Sequence, residues 1–481
     1  MALERRCNLG LSMTNRVFAG AIFKNLSRVL LASVLIHTTQ GYAETLQSAL
    51  SAAYLNNPTL NAQRAATRVA DENIPKATAG YRPTVTATAQ GGPQNSTSNY
   101  TSSGVDYHTD TNTIPRSLGV SVTENLWNGN RTANSVSQAK TQVLAQRETL
   151  RNTEQNVFQD GVTYYMNVLR DSAIYDLQKN NVEVLREQLR QTQDRFKVGE
   201  VTRTDVAQAE ASLAKGQSDQ LVAESNLKTS MANYRLVVGK EPTKLDPVKP
   251  VTTGLPANLD EAIRISQAEH PAILASIYGV DSASLSVKIA EGSLYPSVGL
   301  VGQLQKSYDS VNNISGSRSW VASVIGQISV PIYDGGTTTS TIRQAKETVG
   351  QQQLQTSAQR DQVRAAVVSS WGILSNSKAV VEASQAQVNA AELALNGVRE
   401  EAKVGQRTTL DVLNAQQTLL NARVSLVTAQ RDRVVASYSM LSAIGRLSAA
   451  SLKLQVAHYD PKVHFEQVKD KWYGLRAPDE K

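Results

Sequence analysis

Lys197-Val198-Gly199-Glu200-Val201-Thr202-Arg203-Thr204-Asp205-Val206 and Lys403-Val404-Gly405-Gln406-Arg407-Thr408-Thr409-Leu410-Asp411-Val412 are two versions of one phrase, 206 residues apart. The same offset carries Gln138-Ala139-Lys140 onto Gln344-Ala345-Lys346, and Leu126-Trp127-Asn128-Gly129 onto Ile332-Tyr333-Asp334-Gly335. Nearer the start of each half the offset becomes 213, pairing Asn57-Pro58 with His270-Pro271 and Pro83-Thr84-Val85 with Pro296-Ser297-Val298. The first half therefore holds seven more residues between Pro83 and Gly129. Five matches in one order indicate an internal repeat.

Each half has the same grammar. A helix opens it, from Leu46 to about Gly80 and from Leu259 to about Gly292, broken where Pro58 and Pro271 favour a fresh start. A β-hairpin of two strand-like segments follows, about 81–127 in the first half and 295–333 in the second. In the first, Leu118, Val120 and Val122 alternate with Gly119, Ser121 and Thr123; in the second, Trp320, Ala322, Val324, Ile328 and Val330 keep the same period of two. Polar stretches, Gly91–Thr113 and Ser307–Ser319, read as loops between the paired strands. A soluble sandwich and a membrane sheet both fit the strands alone.

The helices are more decisive. No proline lies between Gly129 and Pro242, or between Gly335 and Pro461. Val168, Tyr175, Val182, Leu189 and Phe196 fall every seventh residue, as do Val367, Leu374, Val381, Val388 and Leu395. Sustained heptads predict helices packed along their length. From about Thr132 to Val198 the helix would measure ~100 Å at ~1.5 Å per residue. Gly199 and Gly405 let the chain turn back, and Thr204-Asp205 and Thr409-Asp411 can cap the returning helices. The long hairpins then span about 132–239 and 337–446. Repeat 1 is read as 44–240, a proline-rich linker as 241–257, repeat 2 as 258–447, and 448–481 as a closing segment with a mobile charged end.

Composition suits this plan. The chain has only 5 Phe, and its long stretches of Ala, Gln, Ser, Asn and Val favour helices packed through small side chains. Arg5, Arg6, Arg16, Lys24 and Arg28 precede an apolar run from Val29 to Ile36, with Gly41-Tyr42-Ala43 as a cleavage motif. Residues 1–43 thus read as an export leader, a short anchor being the alternative. Without them 49 − 5 = 44 basic and 42 − 1 = 41 acidic residues remain, so the charge falls from +7 to +3. Nucleic acid is not an expected partner. Cys7, the only cysteine, leaves with the leader. No later segment reads as 18 apolar residues, so a membrane form would have to use strands.

Four strands cannot close, and an open edge is not viable in lipid. Copies around an axis would close a barrel, with their helices forming a second barrel below it.

At this point the sequence resembles the TolC family of outer-membrane efflux and secretion channels, over about residues 44–450. The resemblance rests on Glu44-Thr45-Leu46 with Asn57-Pro58, on Pro331-Ile332-Tyr333-Asp334-Gly335-Gly336, and on Val404 to Leu413. It implies an α+β membrane protein: a homotrimer whose 12-stranded β-barrel, four strands per protomer, continues into a periplasmic α-helical barrel. It also implies a periplasmic adaptor and an inner-membrane transporter of RND, ABC or MFS type as partners, with outer-membrane lipid around the barrel. By motif, Asp411 would form a pore ring, with Asn414 at the family's second acidic position. Asp205, Thr204 and Arg407 would belong to a tip lock in which Ala402 replaces a tyrosine. The turns Lys197-Val198-Gly199 and Lys403-Val404-Gly405 would dock the adaptor. Asp205 and Asp411 as simple helix caps is the competing reading. Tyr81, Trp127, Tyr295 and Tyr333 flank the strands as membrane-interface aromatics.

Nothing points to an enzyme. His108, His270, His458 and His464 form no H-E-x-x-H motif, and there is no Walker loop, dinucleotide fingerprint or G-x-S-x-G elbow. No cofactor or metal is expected. A soluble periplasmic coiled-coil protein is the main rival, but it has no use for the two strand pairs.

Overall fold

In the computed structural model residues 44–309 and 316–478 are described; the expected leader lies outside them. The chain runs α1 (Leu46–Asn56), α2 (Pro58–Asp71), α3 (Asn73–Thr78), β1 (Thr84–Gly91), β2 (Gln94–Ser102), β3 (Val105–Thr113), β4 (Arg116–Trp127), α4 (Arg131–Lys197) and α5 (Arg203–Val238). It continues through α6 (Leu259–Glu269), α7 (Pro271–Glu291), β5 (Ser297–Tyr308), β6 (Arg318–Ser329), α8 (Thr337–Lys403), α9 (Thr409–Ala443) and α10 (Pro461–Val468). The fold is mixed α/β and mostly helical.

Helices α4 and α8 have 67 residues each, or ~100 Å of uninterrupted helix. α5 packs back along α4, α9 along α8, and α7 lies against both long helices. On the heptad stripes Val168, Val182, Val367, Val388 and Leu395 are buried. The returning helices answer with small residues at the same spacing: Ala209, Gly216, Ala223 and Ser230 on α5, and Ala422, Ala429 and Ala436 on α9, all buried. A Cβ on Gly216 would stand 2.7 Å from Leu185 Cδ1. Small side chains thus set how closely the helices approach. Midway along the bundle Leu50, Phe158, Tyr165, Tyr234, Ile273 and Met440 fill the main core.

The helix starts at Pro58 and Pro271 are capped alike. Asn57 Oδ1 accepts from Leu60 N at 3.1 Å, and His270 Nδ1 accepts from Ala272 N at 3.2 Å. Among the described residues one helix, Pro271–Leu294, is long and apolar enough to cross a membrane by length and composition, with mean hydropathy 1.3. The sequence reading passed over it because Ala, Ser and Gly dilute its Ile, Leu and Val. It packs lengthwise on α4 and α8.

The C-terminal segment packs back on the helices as far as Trp472, while the charged end at 479–481 lies outside the described residues. Tyr459 N donates to the Tyr54 hydroxyl at 2.9 Å, and the His464 ring meets the buried Asp71 carboxylate at 3.1 Å. Arg82 donates to Lys471 O at 2.8 Å and stacks over Trp472.

The main sheet has the order β1-β4-β5-β6, antiparallel throughout, so β1 and β6 are its edges. The stretch Gly91–Thr113, expected as loop, contains a second antiparallel sheet, β2-β3. Its turn at Ser103-Gly104 has positive φ at both residues (53° and 78°), as the tightest hairpins require. Tyr100 stacks on Tyr107 across the strands with ring centroids 5.2 Å apart, and Asn95 bonds Asn112 at 2.9 Å. These cross-strand pairs hold a hairpin that has no apolar alternation to betray it.

Candidate channel surfaces: the helix tips and the two faces of the sheet

At the tips, Gly199 and Gly405 have φ of +78° and +80°. Nothing lies within 4 Å of where a Cβ would stand on either, so the left-handed backbone, not crowding, requires glycine there. The caps that follow are Thr202 and Thr408, not the expected Thr204 and Thr409, which fall inside the first turn; the signal was the spacing T-x-x-D.

Both caps are complete boxes. Thr202 N and Oγ1 donate to Asp205 Oδ2 at 2.8 and 2.7 Å, while Asp205 N donates back to Thr202 Oγ1 at 3.3 Å. Thr408 N and Oγ1 donate to Asp411 Oδ2 at 2.9 Å each, and Asp411 N returns a bond at 3.2 Å. The hydroxyl and backbone bonds from Thr202 hold Asp205 below the usual carboxylate range; at Asp411 the backbone bond from Thr408 leads, then its hydroxyl. Both carboxylates therefore stay ionised at neutral pH.

Arg407 Nε donates to Glu401 Oε2 at 2.8 Å, across its own turn. In the other tip Arg195, at the repeat position of Glu401, pairs with Glu200 of the turn at 3.0 Å, a comparable bridge with the helix and turn charges exchanged. Lys197 pairs with Asp194 at 2.9 Å and Lys403 with Glu400 at 2.7 Å. Val198 and Val404 are 71% and 70% exposed. Asn414 is exposed three residues beyond Asp411, hence on the same helix face. Ala402 packs on the Val388–Leu395–Val412 cluster. A groove of about 870 Å³ between the hairpins is lined by Glu187, Gln191, Arg195, Arg399, Glu400 and Lys403.

At the other end, register sorts the sheet into two faces. One carries Val85, Ala87 and Ala89 of β1, Leu118, Val120 and Val122 of β4, Val298, Leu300 and Leu304 of β5, and Ala322, Val324 and Ile328 of β6. Its one acidic side chain, Glu124, lies near the helix end, opposite Leu300. The opposite face holds Thr84, Thr86, Thr88, Ser121, Gln303, Gln305, Ser323 and Gln327, with Val301, Val321 and Ile325 as apolar exceptions. Unlike a soluble sheet, this one leaves its apolar face uncovered: Leu118, Val324 and Ile328 are 64%, 76% and 70% exposed.

Tyr81, Trp127, Tyr295 and Tyr333 all lie where the strands join the helices; Trp127 meets Tyr295 edge to face at 6.3 Å, and Tyr333 is 86% exposed. The far end has aromatics that the sequence reading missed, Tyr308 and Trp320, each 13 residues from Tyr295 and Tyr333. Val298, opposite Trp127, and Tyr308 are ten residues apart on β5. That is ~33 Å of strand, which at the ~40° tilt usual in outer-membrane barrels would span the ~25 Å height of their apolar band.

Among the described residues no group of three His, Cys, Asp or Glu is placed to hold a metal.

Apolar side chains facing outward between two aromatic rows, above long helices that carry the chain away, define an outer-membrane protein of the export-channel class. The chain belongs to the family described as outer membrane efflux protein, which matches residues 49–240 and 262–446. The outer membrane efflux protein BepC of Brucella suis is 42% identical over 463 residues, 95% of this chain and 99% of that protein. The outer membrane protein TolC of Escherichia coli is 26% identical over 427 residues, 85% and 84% of the two chains. The crystal structure of the Campylobacter jejuni CmeC outer membrane channel superposes with a TM-score of 0.75 at 16% identity, covering 88% of this chain and 89% of that one.

Proposed function

We propose that this chain is one protomer of a trimeric export duct, in which three four-stranded sheets close a 12-stranded barrel and the helices extend it through the periplasm. The observation that carries this reading is the sheet's uncovered apolar face together with its two open edges, β1 and β6. Edges left unpaired in lipid would strand their N–H and C=O groups, so β6 of one copy must find β1 of the next. The polar face then lines the lumen.

On this reading the chain is an internal repeat, each half supplying two barrel strands and one long hairpin, behind an export leader at residues 1–43. The tips carry the gate: Asp411 and Asn414 face the axis, and Arg407, Asp205 and Thr204 sit between neighbouring tip helices. The Val198 and Val404 turns, with the polar groove between the hairpins, receive a periplasmic adaptor that links the duct to an inner-membrane transporter. The duct itself is passive and does no chemistry; the transporter chooses the cargo.

Cysteine crosslinking tests the closure cleanly, since Cys7 is the only native cysteine. Thr86→Cys on β1, combined singly with Cys at Ser323, Ile325 or Gln327 on β6, is expected to give covalent trimers under oxidation in membranes. Monomer in every combination would overturn the barrel.

A further inference from the structure

Past the apolar band, the outward face of the sheet ends in three cations. Arg116 of β4 and Arg318 of β6 both pair in register with Tyr308 of β5, so they flank it on adjacent strands. Lys306 lies two residues below Tyr308 on the same face and pairs with Trp320. Its Nζ stands 5.2 Å from the Tyr308 ring centre and 5.7 Å from that of Trp320, and the Arg318 guanidinium is 5.9 Å from Tyr308. Among the described residues none of the three has a carboxylate in an ion pair, and residues 310–315 contain no acidic residue. A cavity of about 680 Å³ opens at this rim, lined by Arg116, Leu118, Tyr308 and Arg318. Asp309 also lines it, but its Oδ1 is engaged by Gly316 N at 2.6 Å.

Three cations outside any ion pair against the single carboxylate of Asp309 leave this rim net positive over a tyrosine and above Leu118, Leu304 and Ala322, which calls for a ligand with an anionic head and an apolar tail. Neighbouring strands are ~4.8 Å apart, so the two guanidinium forks start about 10 Å apart and can converge on one phosphate. Resting on the proposed duct, in which this rim is the outer one, we infer that Arg116, Lys306 and Arg318 bind the phosphate of an outer-leaflet glycolipid whose acyl chains lie along the apolar face.

The test uses full-length protein purified from outer membranes, stripped of lipid, and offered lipid A with both phosphates or enzymatically dephosphorylated lipid A, with retention read by native mass spectrometry. The diphosphorylated form is expected to be retained about tenfold more strongly, and the R116Q/K306Q/R318Q variant to lose that preference, as removal of charge-assisted phosphate contacts requires. Millimolar inorganic phosphate should not compete; equal competition would make this a phosphate site and overturn the lipid assignment. Should the triple variant fail to assemble, the wild-type preference between the two lipids still decides. An assembled outer-membrane trimer with no preference sinks this inference alone, whereas protein absent from the outer membrane sinks the duct reading.

Discussion

Arg407 reaches back across its own turn to Glu401, Nε to Oε2 at 2.8 Å, while Coulombic attraction from Asp411 on the following helix also favours its charge. Within a protomer, the arginine of the proposed lock is thus held by its own hairpin, so opening a tip would not require this pair to break. Arg407→Ala should raise the open probability in planar-bilayer recordings if the guanidinium also spans to a neighbour. Glu401→Gln, which frees the same arginine, should then lower it. Parallel effects from the two variants would place the contact wholly inside the hairpin.

Asp411 serves its own helix and, in the proposed ring, the pore. The two roles separate through Thr408. Thr408→Ala removes the cap but keeps the carboxylate, at a cost of about 1 kcal/mol. Asp411→Asn removes the charge. Block by multivalent cations should weaken in Asp411→Asn and persist in Thr408→Ala; equal loss in both would assign Asp411 to capping alone.

His270 makes acid stability testable. Burial, with Arg151 nearby, pushes its imidazole down to about 4. The folded value lies below the unfolded ~6.5, so the stabilising contribution is complete above that pH and falls as pH drops towards 4. Protonation also removes the Nδ1 lone pair that accepts from Ala272 N. The bidentate pair of Glu269 with Arg446, both bonds 2.7 Å, lies next in the chain and across the helix start. The loss should reach about 2 kcal/mol after allowance for solvent screening. His270→Asn, which keeps an acceptor as Asn57 does, should flatten the thermal-unfolding midpoint between pH 6.5 and 4.

Much of this architecture was legible because its signals are periodic. Heptads at Val168 and Val367 announced the long helices, and the mixed α/β, mostly helical fold followed from their alternation with strand segments. The β2-β3 hairpin was not legible, since Ser, Thr and Asn on both faces leave no period to detect and only Ser103-Gly104 marks its turn. The Arg407–Glu401 bridge and the rim cations escaped for another reason. Each depends on which side chains the backbone brings opposite one another, and spacing along one element does not encode that. The capping boxes lay in plain view at T-x-x-D, but in each tip a second threonine, Thr204 or Thr409, stands nearer the aspartate than the true cap, Thr202 or Thr408.

The proposed docking of an adaptor at the tips should depend on Val198 and Val404, which are exposed there. Val198 and Val404 are solvated at the end of ~100 Å of helix, and Ala-free turns with open space around Gly405 leave room for a partner. Val404→Asp should abolish co-purification with a periplasmic adaptor after in vivo crosslinking while leaving single-channel conductance unchanged. Gly405→Ala, strained at φ +80° by roughly 1–2 kcal/mol, should weaken docking less. Retained crosslinking in Val404→Asp would remove the turns from the docking surface.

The two faces of β6 give the sharpest contrast, because neighbouring residues should respond oppositely to the same substitution. Val324 faces outward from the middle of the apolar band, and Ser323 faces the other way. A lysine at a barrel's lipid midplane costs about 2–4 kcal/mol, while one in the lumen meets water. Val324→Lys should therefore lose heat-resistant oligomer on gels and accumulate outside the outer membrane. Ser323→Lys should assemble normally and shift the reversal potential towards anions, since three added cations would line one ring of the pore. The reverse outcome would turn the sheet inside out and, with it, the assignment of lumen and lipid.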